Sequence, residues 1–147
     1  MVRLSQLGIA FGALGVVLTF MGLFPGVMGL RPAQGIGIVQ IVIILSGFSM
    51  LILGALIYVK YAYYTDQPST LAQQIGSRLA LTGLIISGLI GFSDTLGFGS
   101  HTRAEGEPYF GSWQAVGIVL GFLIASIGVM IYALTGKDPA APDDPPR

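Results

Sequence analysis

Apolar residues run in four long blocks separated by short polar breaks. Block 4–30 is interrupted only by Ser5, Gln6, Thr19 and Pro25, and block 35–59 carries one strongly polar residue, Gln40. Block 79–98 is free of charge until Asp94, and block 113–134 is apolar apart from Gln114 and Ser126. About 20 mainly apolar residues carry a helix across the roughly 30 Å of hydrocarbon in a bilayer. Lipid offers backbone groups no partners, so each block is expected to be helical. The pattern predicts an all-α integral membrane protein whose four transmembrane helices form two hairpins. Pro25 should kink or end the first of them. That first block exceeds a signal-peptide core of about 7–15 residues and no clear Ala-x-Ala site follows, so it reads as a retained helix.

The polar breaks divide the chain into a transmembrane domain, 1–137, and a Pro/Asp-rich tail, 138–147, with four prolines and three aspartates. Asp66-Gln67-Pro68-Ser69 is a turn signal followed by a helix start. The second outer connection, 99–112, holds His101, Arg103, Glu105 and Glu107. Connections on one side carry Arg3, Lys60, Arg78, Lys137 and Arg147, against Arg31 and Arg103 on the other. The positive-inside bias then predicts both termini in the cytoplasm, and the reading is of a prokaryotic cell membrane. Tyr58, Tyr61, Tyr63 and Tyr64 at one boundary and Tyr109, Phe110 and Trp113 at the other read as interfacial anchors.

Small residues recur along each block at helical spacing. The first carries Gly8, Gly12, Gly15, Thr19, Gly22 and Gly26, and the second has Gln40, Gly47 and Gly54. The third carries Ala80, Gly83, Ser87 and Gly91, and the fourth Gly117, Gly121, Ala125 and Gly128. Lipid gives helices no hydrophobic reason to associate, so close backbone approach through small residues must supply the contact. These stripes are expected to pack inside the protein, or, for the first helix above all, against a partner.

A weak internal repeat accompanies them. At an offset of 75, Arg3, Leu4, Gly8, Leu14 and Gly22 match Arg78, Leu79, Gly83, Leu89 and Gly97. At an offset of 80, Gln34, Gly37, Ile38, Val39, Ile44, Ser46 and Met50 match Gln114, Gly117, Ile118, Val119, Ile124, Ser126 and Met130. Duplication of a two-helix unit would produce this, and so would chance matching between apolar segments.

Composition narrows the function. Charged residues are 10% of the 147, against roughly 25% in soluble domains, and the net charge is zero. Lipid is therefore the expected surroundings and nucleic acid is not an expected partner. The absence of cysteine excludes disulfides and Cys-ligated metal, and no other metal-ligand pattern is evident. No nucleophile, P-loop or zinc-protease motif is present, so no catalytic residues are assigned and no enzyme is expected. No cofactor is evident. Asp94, three residues after Gly91, reads as lying on the seam near the outer end of its helix, in an interfacial turn or capping role, a proton or cation role, or a bond to a partner. His101 is a weak candidate for axial haem or pigment binding and otherwise a loop residue. The resulting expectation is a small accessory or scaffolding subunit of a larger, energy-transducing membrane complex, touching other membrane subunits. The alternatives are an oligomeric transporter or channel using Asp94 and Gln40, or a pigment- or haem-binding subunit using His101.

Overall fold

A computed structural model describes residues 4–29, 37–97 and 111–136. Among these the chain is helical: α1 (Leu4–Leu23), α2 (Ile38–Tyr63), α3 (Leu71–Gly91) and α4 (Ser112–Leu134), with a short 3-10 turn at Pro25–Met28 after α1. Each of the four is long and apolar enough to cross a membrane.

The boundaries have local causes. Pro25 has no N–H to extend the α1 ladder, so α1 stops before it, short of the block end at residue 30, and Gly29 closes the turn with φ +70°. The expected span of 35–59 falls short of α2, which runs on through Lys60 to Tyr63. At 26 residues, and about 1.5 Å per residue, this helix outreaches the hydrocarbon and carries its last turn into the interface.

The third helix departs most from expectation, since it occupies 71–91 and not 79–98. Thr70 caps it: the Thr70 hydroxyl accepts from the Gln73 backbone N–H at 3.1 Å while Gln73 Oε1 accepts from the Thr70 N–H at 3.1 Å. This reciprocal box satisfies two donors that would otherwise be orphaned. The polar run Gln73, Gln74, Ser77, Arg78 is therefore helix, not connection. At the other end the chain leaves the helix after Gly91 and turns through residues 92–97.

α1 packs along α2 and α3 along α4, and far fewer contacts join α2 to α3 and α4. The two buried clusters lie where α2 meets α3 and α4. One gathers Ile41, Leu45, Ile118 and Phe122, and the other Ile52, Ala80 and Ala125. Phe48 stacks on Phe122 with ring centroids 4.0 Å apart. Neither cluster contains an α1 residue, and the buried residues of α1 are its glycines Gly8, Gly15 and Gly22. α2 is thus the common neighbour of the other three. Outward-facing side chains such as Phe11, Phe20, Leu53, Ile85, Leu89, Leu120 and Leu123 are exposed and apolar, as contact with lipid requires.

Candidate functional site

Along the small-residue stripes the helices approach closely, in most places backbone against backbone. A Cβ on Gly15 would stand 2.5 Å from both the Gly47 carbonyl oxygen and the Leu51 nitrogen. One on Gly8 would stand 2.6 Å from the Tyr58 nitrogen, and one on Gly54 2.5 Å from the Gly12 nitrogen. Gly47 meets Thr19 in the same way, at 2.5 Å from its nitrogen. At Gly8, Gly15 and Gly54 the nearest atoms are all backbone, which leaves no room there for a side chain. Of the stripe residues, Gly12 in α1 and Gly26 in the 3-10 turn after it differ, because a Cβ on either meets nothing within 4 Å. Gly12 therefore lies at the contact without itself needing to be glycine.

The second pair repeats the arrangement residue for residue. A Cβ on Gly83 would stand 2.5 Å from the Gly121 oxygen and the Ala125 nitrogen, and one on Gly76 2.7 Å from the Gly128 oxygen and 2.8 Å from the Tyr132 nitrogen. Gly128 meets Ala80, and Gly121 meets Ser87. The contacts equate Gly8, Gly12, Gly15 and Thr19 with Gly76, Ala80, Gly83 and Ser87, 68 residues on. They equate Gly47, Leu51, Gly54 and Tyr58 with Gly121, Ala125, Gly128 and Tyr132, 74 residues on. In that register Gln-x-Val-x-Ile-x-x-Gly-Phe at 40–48 recurs at 114–122, and Gly-x-x-Ile-Tyr at 54–58 recurs at 128–132.

These registers replace the offsets of 75 and 80. The offset of 75 paired Gly22 with Gly97, which lies beyond α3 at φ +81° with nothing within 4 Å of its added Cβ. In the contact register Gly22 corresponds to Ile90, and the exchange is compensated across the seam. Gly22 receives Ile44, its Cβ position 2.5 Å from Ile44 Cγ1, whereas Ile90 lies over Gly117, with Cδ1 2.9 Å from the Cβ position there.

The ends of α3 and α4 are fastened by two glutamines that sequence reading passed over. Gln73, 1% exposed, donates through Nε2 to the Tyr132 carbonyl at 3.4 Å, near the end of α4. Gln114 donates through Nε2 to the carbonyls of Ile90 (2.9 Å) and Gly91 (3.2 Å), at the end of α3. Each glutamine stands in the first turn of one helix and donates to carbonyls in the last turn of the other, the Ile90 carbonyl also accepting from Ser93 N–H and Oγ. Tyr64 Oη donates to the Ala133 carbonyl at 2.8 Å and Thr70 Oγ1 to the Thr135 carbonyl at 3.1 Å, completing the α4 end. Within the bilayer, Ser87 Oγ donates to the Ile118 carbonyl at 3.0 Å and Thr19 Oγ1 to the Gly15 carbonyl at 2.8 Å. The sequence signal for the glutamines was Thr-x-x-Gln at 70–73 and Gly-x-x-Gln at 111–114.

Replacing Gln73 with Leu strands the buried Tyr132 carbonyl and opens the Thr70 box. The expected loss is about 2 kcal/mol. Gln74→Leu, one residue away on the exposed side, should change stability by no more than about 0.5 kcal/mol. Thermal unfolding of the two variants in the same detergent checks the difference, and equal midpoints would contradict it.

The remaining candidates are not brought together. Asp94 lies past the end of α3 in an exposed turn, where its carbonyl accepts from the Gly97 N–H at 3.4 Å. It stands in the turn that follows α3 and not on the α3 helix itself. Gln40 is half-buried in the first turn of α2, at the position corresponding to Gln114. His101, Glu105, Glu107 and the tail 138–147 lie outside the described residues. Among the described residues no group of three or more His, Cys, Asp or Glu could hold a metal ion.

Neither a protein-family model, nor a curated protein sequence, nor a solved structure matches the chain.

Proposed function

We propose that the protein is a small non-catalytic accessory or scaffolding subunit of a larger, energy-transducing membrane complex, built as two hairpins descended from one duplicated helix pair. The observation that carries this reading is where the buried polar groups go. The two buried polar side chains among the described residues, Gln73 and Ser87, both hydrogen-bond a backbone carbonyl of the neighbouring helix. Such an interior is suited to holding helices in register. The corresponding contacts 68 and 74 residues apart support the duplication, with the extra residues placed in the second outer connection, where insertion is cheapest.

The first helix's glycines at 8, 15 and 22 are occupied by α2, so a partner subunit would meet other faces. α1 offers the most, having one extensive neighbour and exposed Phe11 and Phe20, with exposed Phe24 just beyond its end. In this reading both termini are cytoplasmic and the membrane is that of a prokaryotic cell. Native mass spectrometry after mild detergent extraction tests it. Stoichiometric foreign membrane subunits are the expected result, and a homo-oligomer without other proteins would contradict it and favour an oligomeric transporter.

A further inference from the structure

Arg78 is a charge that the fold does not use. It is exposed on α3, seven residues after the helix begins and so about 10 Å along its axis. On the same face stand Leu71 (79% exposed), Ile75 (61%), Leu81 (46%) and Ile85 (62%). Two residues earlier, Gly76 packs against Gly128 and Tyr132, and α4 continues apolar to Leu134 beyond that level. The guanidinium therefore emerges from a face on which these four apolar side chains flank the exposed polar Gln74 and Thr82, beside an α4 segment that is apolar. Among the described residues it has no hydrogen bond or ion pair, and neither Asp66 nor Asp94 pairs with it. The corresponding position in the first helix pair is Ala10, so nothing in the packing scheme calls for a cation there.

A second cation lies at the same end. Lys60 Nζ donates to Ser69 Oγ at 3.3 Å, and Gln74 Nε2 donates to the Ser69 carbonyl at 3.4 Å. The α2–α3 connection thus ties Lys60 to the turn of α3 that precedes Arg78. A guanidinium rooted among lipid-facing side chains extends along the helix until it meets the phosphate layer, and its planar fork matches two phosphate oxygens.

We propose that Arg78, supported by Lys60, binds the phosphate of an anionic phospholipid on the outer face of α3. The bound headgroup supplies the acceptors that the chain does not, while its acyl chains lie along Ile75, Leu81 and Ile85. The negative phosphate faces a side of α3 whose charged residue is this arginine, so attraction is not offset by a nearby carboxylate on that face.

Binding of phosphatidylglycerol and of phosphatidylcholine to the full chain in neutral detergent, followed by native mass spectrometry, tests the assignment. Wild type should retain phosphatidylglycerol in preference to phosphatidylcholine, and Arg78→Gln should weaken phosphatidylglycerol about tenfold. Arg78→Lys keeps the charge without the fork and should fall between them, which separates loss of binding from loss of folding. Inorganic phosphate should not displace the lipid. Undiminished phosphatidylglycerol binding by Arg78→Gln would overturn the proposal. So would equal retention of both lipids by wild type, or displacement by inorganic phosphate at matching concentration.

Discussion

Gly15→Leu and Gly83→Leu should each separate a helix pair, with losses above the roughly 1–3 kcal/mol of ordinary overpacking. The reason is what stands in the way. At Gly15 the obstacles are the Gly47 oxygen and the Leu51 nitrogen, and at Gly83 the Gly121 oxygen and the Ala125 nitrogen, all of them backbone. A side-chain obstacle can change rotamer, whereas a helix backbone can only move away as a unit. Moving it removes the neighbouring contacts too, because Gly8, Gly15 and Gly54 share one seam. Gly12→Ala provides the contrast in the same helix. Its added methyl meets nothing within 4 Å, so it should be neutral, or stabilising by up to about 1 kcal/mol through helix propensity. Unfolding in detergent, read by circular dichroism, distinguishes them, and equal midpoints for Gly15→Leu and Gly12→Ala would contradict the seam.

Phe122→Ala should loosen the junction between the pairs at a cost of about 2 kcal/mol, less than the roughly 3–5 kcal/mol for Phe→Ala in water-soluble cores. Phe122 is 7% exposed and stacks on Phe48, so removing the ring opens a cavity between α2 and α4. Lipid tails are as apolar as the interior they replace, so little transfer free energy is lost and the cost is mainly lost dispersion contact. Phe122→Leu should recover most of it, whereas Leu123→Ala on the exposed side should change little. If Leu123→Ala cost as much as Phe122→Ala, the ring stack would not be the junction.

Much of this architecture was legible in the residues. Spacings of three and four among small residues marked the faces that meet, and Gly8, Gly15, Gly22, Gly47, Gly54, Gly83, Gly117 and Gly121 all lie against a neighbouring helix. Helix three was misplaced because an apolar window discounts Gln73, Gln74, Ser77 and Arg78, although the capping pair Thr70 and Gln73 stood in plain view. The same emphasis on charge singled out Asp94 and passed over Gln73 and Gln114, whose work is done by uncharged amides on carbonyls. The offsets of 75 and 80 rest on residue identity alone, such as Arg3 with Arg78 and Gly22 with Gly97. Backbone contacts, which tolerate Ile90 in place of Gly22 once Gly117 faces it, fix a different register. Nothing in sequence spacing says which helix a small-residue face will meet, since that depends on the three-dimensional partner.

The central claim is that the small-residue seams are consumed within one chain, α1 on α2 as α3 on α4. The chain has no cysteine, so introduced pairs report without background. Thr19→Cys with Ile44→Cys, and Ser87→Cys with Ile118→Cys, occupy corresponding places on the two seams. Oxidation in native membranes should close both pairs within single chains, at similar rates, leaving the protein monomeric on a denaturing gel. Closure of the second pair alone, with the first forming only links between chains, would place the α1 seam against another subunit and contradict the account.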